Sequence, residues 1–274
     1  MLLVLLLTKL NILNFKTKNV HDMNNIFAGC LSLTTLDLSR FDTTKVTNMQ
    51  FMFHNCFSLT SININDNFKT DNVTNMGNMF SFCKSLSSFQ FLSNFDTTNV
   101  EYMDSMFMNC ESLESLNLSN FNTSNVLDMK SMFNSCFNLK QLELNDNFDT
   151  SKVTNMEYMF SNCRHIESMN ISYFKTSSVL NMRNMFESCK KLKKVIIDKS
   201  YFNTKNVRDM QYMFSNCGEI QELDVSNFDT SSVTNMKGMF QLCPKLTSLD
   251  VSNFDTSKVT NMENMFERCL SLIS

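Results

Sequence analysis

The stretch FDTSSVTNMKGMFQLCPKLTSLDV, Phe228 to Val251, decides how this chain is read, because nearly everything else in it is a variant of the same pattern. Aligned on its leading Phe, the pattern is F-x-T-x-x-V-x-x-M-x-x-M-F-x-x-C-x-x-L-x-x-L-x-L, and it recurs ten times, starting at Phe15, Phe41, Phe68, Phe95, Phe121, Phe148, Phe174, Phe202, Phe228 and Phe254. Internal repetition at such a period marks an architecture built by stacking one supersecondary unit on the next. The repeats are 26–28 residues long, yet the single Cys always follows its Phe by fifteen. Length variation is therefore confined to the piece after the last Leu, where the longer copies carry Asn65-Asp66-Asn67, Leu92-Ser93-Asn94, Asn145-Asp146-Asn147 and, in the longest, Asp198 to Tyr201. These residues favour turns at the surface, where insertion is tolerated.

Two periodicities alternate inside each unit. From Val46 through Met49, Met52, Phe53, Cys56 and Leu59 the apolar residues fall three and four apart, which predicts one buried face of a short helix. Asp or Asn precedes the first Met in nine copies, Tyr102 being the exception, and Thr stands one residue earlier in five, so a helix N-cap is expected at one of these two positions. Leu36-Asp37-Leu38 then alternates with period two, as a half-buried strand does. The expected fold is α/β: a curved solenoid with a parallel sheet on its concave face and short helices on its convex face. Curvature is expected because strands stack about 4.8 Å apart and helix axes about 8–10 Å apart.

The repeats imply one elongated domain over residues 1–274, in which each unit contacts mainly its neighbours. Residues 1–14 read as the tail of a partial, degenerate repeat, with Ile12, Leu10 and Leu7 in the Leu slots, Val4 in the Cys slot and Met1 in the Phe slot. A cryptic signal or anchor is the alternative reading of that apolar start. The last unit stops at Leu272-Ile273-Ser274, before its strand, so the chain reads as a segment of a longer array. A net charge of -3 gives no reason to expect nucleic acid as the partner, and no segment is expected to insert in a membrane. Ten cysteines would permit five disulfides. Their place on the apolar face, a helix diameter from one another, favours a reduced, buried ladder instead. No CxxC or Cys/His cluster suggests a metal, and no cofactor is expected.

Outward strand positions hold small polar and acidic residues, among them Thr35 and Asp37, Ser61 and Asn63, Ser115 and Asn117, Gln141 and Glu143, Ser168 and Asn170, Glu222 and Asp224, Ser248 and Asp250. The seventh unit departs most from the pattern. Lys190, Lys191, Lys193 and Lys194 lead into Ile196, an apolar residue at an outward position, and then into the longest turn. These residues, with Glu222, Asp224 and Asp250, are the candidate partner-binding set; a drifting repeat with a solvated charge run is the plainer reading. Asp224 and Asp250 occupy the same slot in successive units, close enough for the paired-carboxylate chemistry of a retaining glycosidase, but nothing apolar surrounds them to raise one pKa. His21, His54 and His165 hold different repeat positions and form no ligand set or triad. The Met rows read as core filler.

The M-F-x-x-C-x-x-L segment, here Met239 to Leu246, followed by L-x-L, resembles the BspA-like leucine-rich repeat surface proteins, and Phe254 to Met262 resembles their F-D-T-S-x-V-T-N-M variant. The resemblance spans essentially the whole chain. It implies a leucine-rich-repeat fold and a non-catalytic surface or secreted protein that binds host or neighbouring-cell proteins; glycans are a further candidate ligand class apart from the resemblance. No catalytic residue is carried over, and the surface location rests on the resemblance alone, since no convincing signal peptide or anchor is seen. An intracellular protein-interaction scaffold is the alternative function, and a carbohydrate-active enzyme using Asp224 and Asp250 is the remote one.

Overall fold

The alternation read at Leu36-Asp37-Leu38 becomes the first of six three-residue strands in the computed structural model, which describes residues 7–273. They are β1 (Thr35–Asp37), β2 (Ser61–Asn63), β3 (Ser115–Asn117), β4 (Gln141–Glu143), β5 (Ser168–Asn170) and β6 (Lys194–Ile196). Each has an inward central residue between two exposed ones, as period-two alternation requires. All pairings are parallel, with identical slots opposite one another, such as Leu36 and Ile62. The chain divides into two compact units, Met1–Val126 with Cys136–Phe148, and Leu127–Ser135 with Asp149–Ser274. The first holds the pairs β1–β2 and β3–β4, and a bridge from Lys9 to Thr35 places that part of the N-terminal segment beside β1. The second holds β5–β6 and a bridge from Glu222 to Ser248. Met1 and Val4, assigned to a degenerate repeat, lie outside the described residues.

Three repeats do not make the full expected strand: at 222–224 and 248–250 a lone bridge, Glu222 to Ser248, stands in for it, and the third departs further. After β2, a 3-10 helix at Gln90–Asn94 takes the strand's place. The stretch Ser87 to Leu92, SSFQFL, offers two Phe at the strand slot. Phe89 turns inward, edge-on to Phe80 at 5.2 Å and to Phe107 at 5.3 Å, so the ring fills the space that a strand residue would have covered.

The expected helices are absent. The Val-to-Leu stretch of every repeat is a run of successive β-turns. Met159 N donates to Met156 O, Ser161 N to Tyr158 O and Cys163 N to Phe160 O, all three residues apart. The intervening amides leave the coil altogether: Met156 N donates to Asn181 O, Tyr158 N to Arg183 O, Phe160 N to Met185 O and Asn162 N to Glu187 O, at 2.7–3.0 Å. A helix would have spent those donors on carbonyls four residues back. Two residues per repeat have left-handed φ near +60°, the second after the first Met and the one before the Cys, in all ten copies. A single positive φ at the third residue is the signature of a type II turn. Turns reversing every three or four residues bring the same positions inward as a helix would, which is why the apolar spacing does not separate the two. The expected N-cap is an Asx turn instead. In all nine copies that have Asp or Asn before the first Met, as at Asn155 with Glu157 N (3.1 Å), its Oδ1 accepts from the amide two residues on.

No helix layer therefore sets the spacing of the core side chains; backbone hydrogen bonds between coils do. Phe rings of the thirteenth position stack at 5.3–5.9 Å from Phe27 to Phe107 in the first unit, and at 5.3–6.1 Å from Phe133 to Phe266 in the second. The Thr of the third position is buried in nine copies, all but Thr256, and its hydroxyl links coils. Thr176 Oγ1 donates to Asn203 O and accepts from Asn203 N, both at 2.7 Å. The Cys is just as specific. In nine successive copies its Sγ–H donates to the carbonyl of the thirteenth-position Phe one coil back, at 3.0–3.3 Å. All ten thiols are unbridged. The reason lies in this donor geometry and not in the helix diameter invoked from the sequence.

Two measurements check this core. Thr176→Val removes a hydroxyl that both donates and accepts, and is expected to lower the unfolding free energy by about 1–3 kcal/mol in urea titration, with Thr176→Ser losing much less. Burial pushes the thiols of Cys56, Cys136, Cys189 and Cys243 up to about 12 from an ordinary value of 9.0. The unfolded chain thus releases protons that the folded chain keeps, so this contribution is whole below the ordinary value and disappears as pH rises through about 12. The thermal midpoint should fall over that interval, and these thiols should resist alkylation until the chain is denatured.

Candidate functional site

Because the repeated apolar residues and the Thr and Cys groups are consumed in stacking, chemistry is left to the strand face and the turns after it. Along that face the side chains are short, polar and tied to their own coil or the next. Asp37 Oδ1 accepts from Ser39 N at 2.9 Å and from Asn63 Nδ2 at 3.1 Å, and Asn117 Nδ2 donates to Glu143 Oε2 at 2.5 Å. The Ser hydroxyl two residues on holds the carboxyls of Asp37 and Asp250 below the usual range. Such a face presents hydrogen-bonding groups and ionised carboxylates, not a desolvated reaction centre.

The irregular seventh unit differs. Lys193, Lys194 and Val195 form one wall and Gln221, Glu222, Leu223 and Asp224 the other wall of an open groove of about 480 Å³. A smaller recess of about 140 Å³ is lined by Lys193, Glu219 and Gln221. Four candidate residues, Lys193, Lys194, Glu222 and Asp224, thus meet in one place. Ile196 is 37% exposed at the end of β6. Lys190, Lys191 and Asp250 are exposed but do not line the groove. Lys193 Nζ is held by Glu167 Oε2 at 2.8 Å, and Lys245 Nζ by Glu219 Oε2 at 2.7 Å. The residues that the sequence did not single out are Lys199, whose Nζ lies 2.6 Å from Asp224 Oδ2, and the half-buried Val195 and Leu223. The 28-residue repeat was the available signal, since its extra residues carry Lys199.

The paired carboxyls do not suit acid catalysis. The hydrogen bond from Lys199, with those from Ser226, brings Asp224 down to about 2, and Asp250 is lowered as well, so neither has the raised pKa of a general acid. Another look-alike is structural too. His54 Nδ1 lies 2.6 Å from Ser81 Oγ, but that hydroxyl donates to Asn78 O and the serine is fully buried. Burial lowers the pKa of His54. No group of three or more His, Cys, Asp or Glu among the described residues could hold a metal ion, and no described helix is long and apolar enough to cross a membrane.

A family profile described as "Mycoplasma protein of unknown function, DUF285" matches the chain over residues 6–89, 57–167, 135–224 and 197–274. No curated protein matches it. Among solved structures it is similar to a leucine-rich repeat protein from Bacteroides ovatus ATCC 8483, with 18% identity and a TM-score of 0.54, over 93% of this chain and 69% of that one. A leucine-rich cell surface protein from Faecalibacterium prausnitzii A2-165 is 17% identical with a TM-score of 0.45, over 88% and 82% of the two chains, a likeness too low to carry an argument. At such identity the first likeness shows a leucine-rich-repeat-like fold, in keeping with the repeated parallel strands.

Lys199 is the partner that sets the state of Asp224. Lys199→Ala is expected to move the Asp224 titration, followed by carboxyl NMR, upward from about 2 toward the ordinary 3.8, while Asp250 stays where it was. The ion pair's contribution to folding is present above the ordinary value and lost as pH falls through the lowered one.

Proposed function

The chain belongs to the DUF285 family of mycoplasma proteins, and from that premise we propose that it is a non-catalytic recognition repeat that binds protein ligands through its strand face and variable turns. One observation carries the reading. Side chains at the repeated positions are buried or bonded to the next coil in most copies, whereas the outward strand positions change from copy to copy: Thr35/Asp37, Gln141/Glu143, Lys194/Ile196, Glu222/Asp224. A scaffold kept constant inside and varied outside is what recognition by a repeat protein needs. The groove at β6 is the most distinctive part of that surface. The BspA-like resemblance extends the proposal to adhesion, with display at the cell surface or secretion and host or neighbouring-cell proteins as partners. Glycans are a further ligand class on the same polar face.

The unbridged thiols favour a second reading, an intracellular interaction scaffold, because a reducing compartment keeps such thiols free. Labelling intact producing cells with an impermeant reagent separates the two: surface display labels the chain, a scaffold stays unlabelled until lysis.

Binding of the purified chain to intact target cells tests the main reading. It should saturate, vanish after protease treatment of the cells, and weaken through slower association when exposed charges are reversed, as in Lys194→Glu with Glu222→Lys, since rim charges act mainly on the association rate. Absence of saturable binding, or turnover of a polysaccharide by the chain, would contradict it.

A further inference from the structure

Beyond β6 the strand ladder is interrupted within the second unit. On one side of the break, Lys193 N donates to Glu167 O at 2.8 Å and Ile171 N to Ile196 O at 2.9 Å, closing β5 onto β6; on the other, Thr247 N donates to Gln221 O at 2.9 Å. Among the described residues no such bond joins Lys193 to Gln221 or Ile197 to Asp224, and no bridge pairs Lys194–Ile196 with Gln221–Asp224. The same two coils remain joined along their turns, where Asn184 N donates to Gln211 O, Phe186 N to Met213 O and Ser188 N to Ser215 O at 2.7–2.9 Å. They are hinged at the turns and parted at the strands. At the earlier irregularity, Phe89 and the 3-10 helix fill the space; here the chain supplies nothing comparable.

Two neighbouring strand segments with facing edges unpaired offer backbone donors and acceptors on both sides of a slot, the chemistry that recognises an extended peptide. The side chains agree. Inward, the slot meets Val195 and Leu223, half-buried where Met169 and Leu249 in the flanking coils are 2% and 7% exposed, and beneath them lies an apolar cleft also lined by Ile171, Phe186 and Phe214. Outward, Lys194 stands on one wall and Glu222 on the other, neither with an ion-pair partner among the described residues, so a side chain that both donates and accepts suits the space between them. We propose that the slot between Lys194–Ile196 and Gln221–Asp224 is a strand-addition site, taking an extended peptide segment of a partner protein that reads polar–apolar–polar, as β1, β2, β3 and β5 do. This deepens the recognition function proposed above and rests on it.

The probe is a fluorescent synthetic peptide of sequence TSLDVSN, titrated against the full chain with hydrogen exchange followed in parallel. Saturable binding is expected, with slowed amide exchange confined to segments 194–197 and 221–225. Replacing the peptide's Leu by Asp should abolish binding. N-methylation of any of its three central amides should weaken it about tenfold, the effect of one lost hydrogen bond, because an inserted strand uses amides on both edges. No saturable binding, protection elsewhere, or indifference to N-methylation overturns the site. So does concentration-dependent protection without peptide, which would mean that a second copy fills the slot. Loss of the peptide response with cell binding intact sinks the slot alone; loss of cell binding sinks the wider function.

Discussion

In eight of the ten turn runs every second backbone amide is donated to the neighbouring coil, and the rest of the structure follows from that. An amide sent out of its own coil cannot close a helix, so the chain must reverse by β-turns, and these force two residues of each repeat into the left-handed region. For a non-glycine residue that conformation costs roughly 1–2 kcal/mol. Four hydrogen bonds per coil, each worth about 1 kcal/mol net, together with ring stacking, offset the cost only when a neighbouring coil is present. The repeat is accordingly stable as a stack and not as a single copy. Thr and Cys then appear where they do because two further carbonyls per coil remain within reach of a short buried donor.

Much of this is legible in the residues. Ten copies in register place the core positions correctly in the inner coils, though Phe15, Met262 and Phe266 of the terminal copies are exposed, and the period-two alternation locates six strands but also two slots, 222–224 and 248–250, that make only a bridge. Helix and turn run could not be separated by apolar spacing, because both bring Val46, Met49, Met52, Phe53 and Cys56 to one side. A finer signal was present. Of the twenty left-handed positions, Asn or Gly occupies ten, including Asn25, Asn55, Gly29 and Gly238, far more often than a helix interior tolerates. Phe51, Tyr158 and Leu242 in the same slots masked it. The roles of Thr176 and its equivalents depend on a partner 25–27 residues away, which local pattern does not reveal.

The candidate site was half legible. The lysine run and Ile196 marked the right coil, and Glu222 and Asp224 the right opposing wall, but their meaning changes with the geometry. Asp224 is a carboxylate held down by Lys199, without the raised pKa of a general acid. What sets the place apart is a lapse in backbone pairing, and such a lapse has no residue signature beyond the length of the repeat that contains it. Function in this protein is thus best sought where the stacking rule is broken, since wherever it is obeyed the polar groups of the backbone are already spent.

The most direct test of the account is scalar coupling across hydrogen bonds in isotope-labelled protein, read at the amide of Phe160. The account requires coupling from Phe160 nitrogen to the carbonyl carbon of Met185, 25 residues ahead, where the two atoms of the bond lie 2.9 Å apart. Coupling instead to the carbonyl carbon of Met156, four residues back, would establish a helix in that stretch and contradict it.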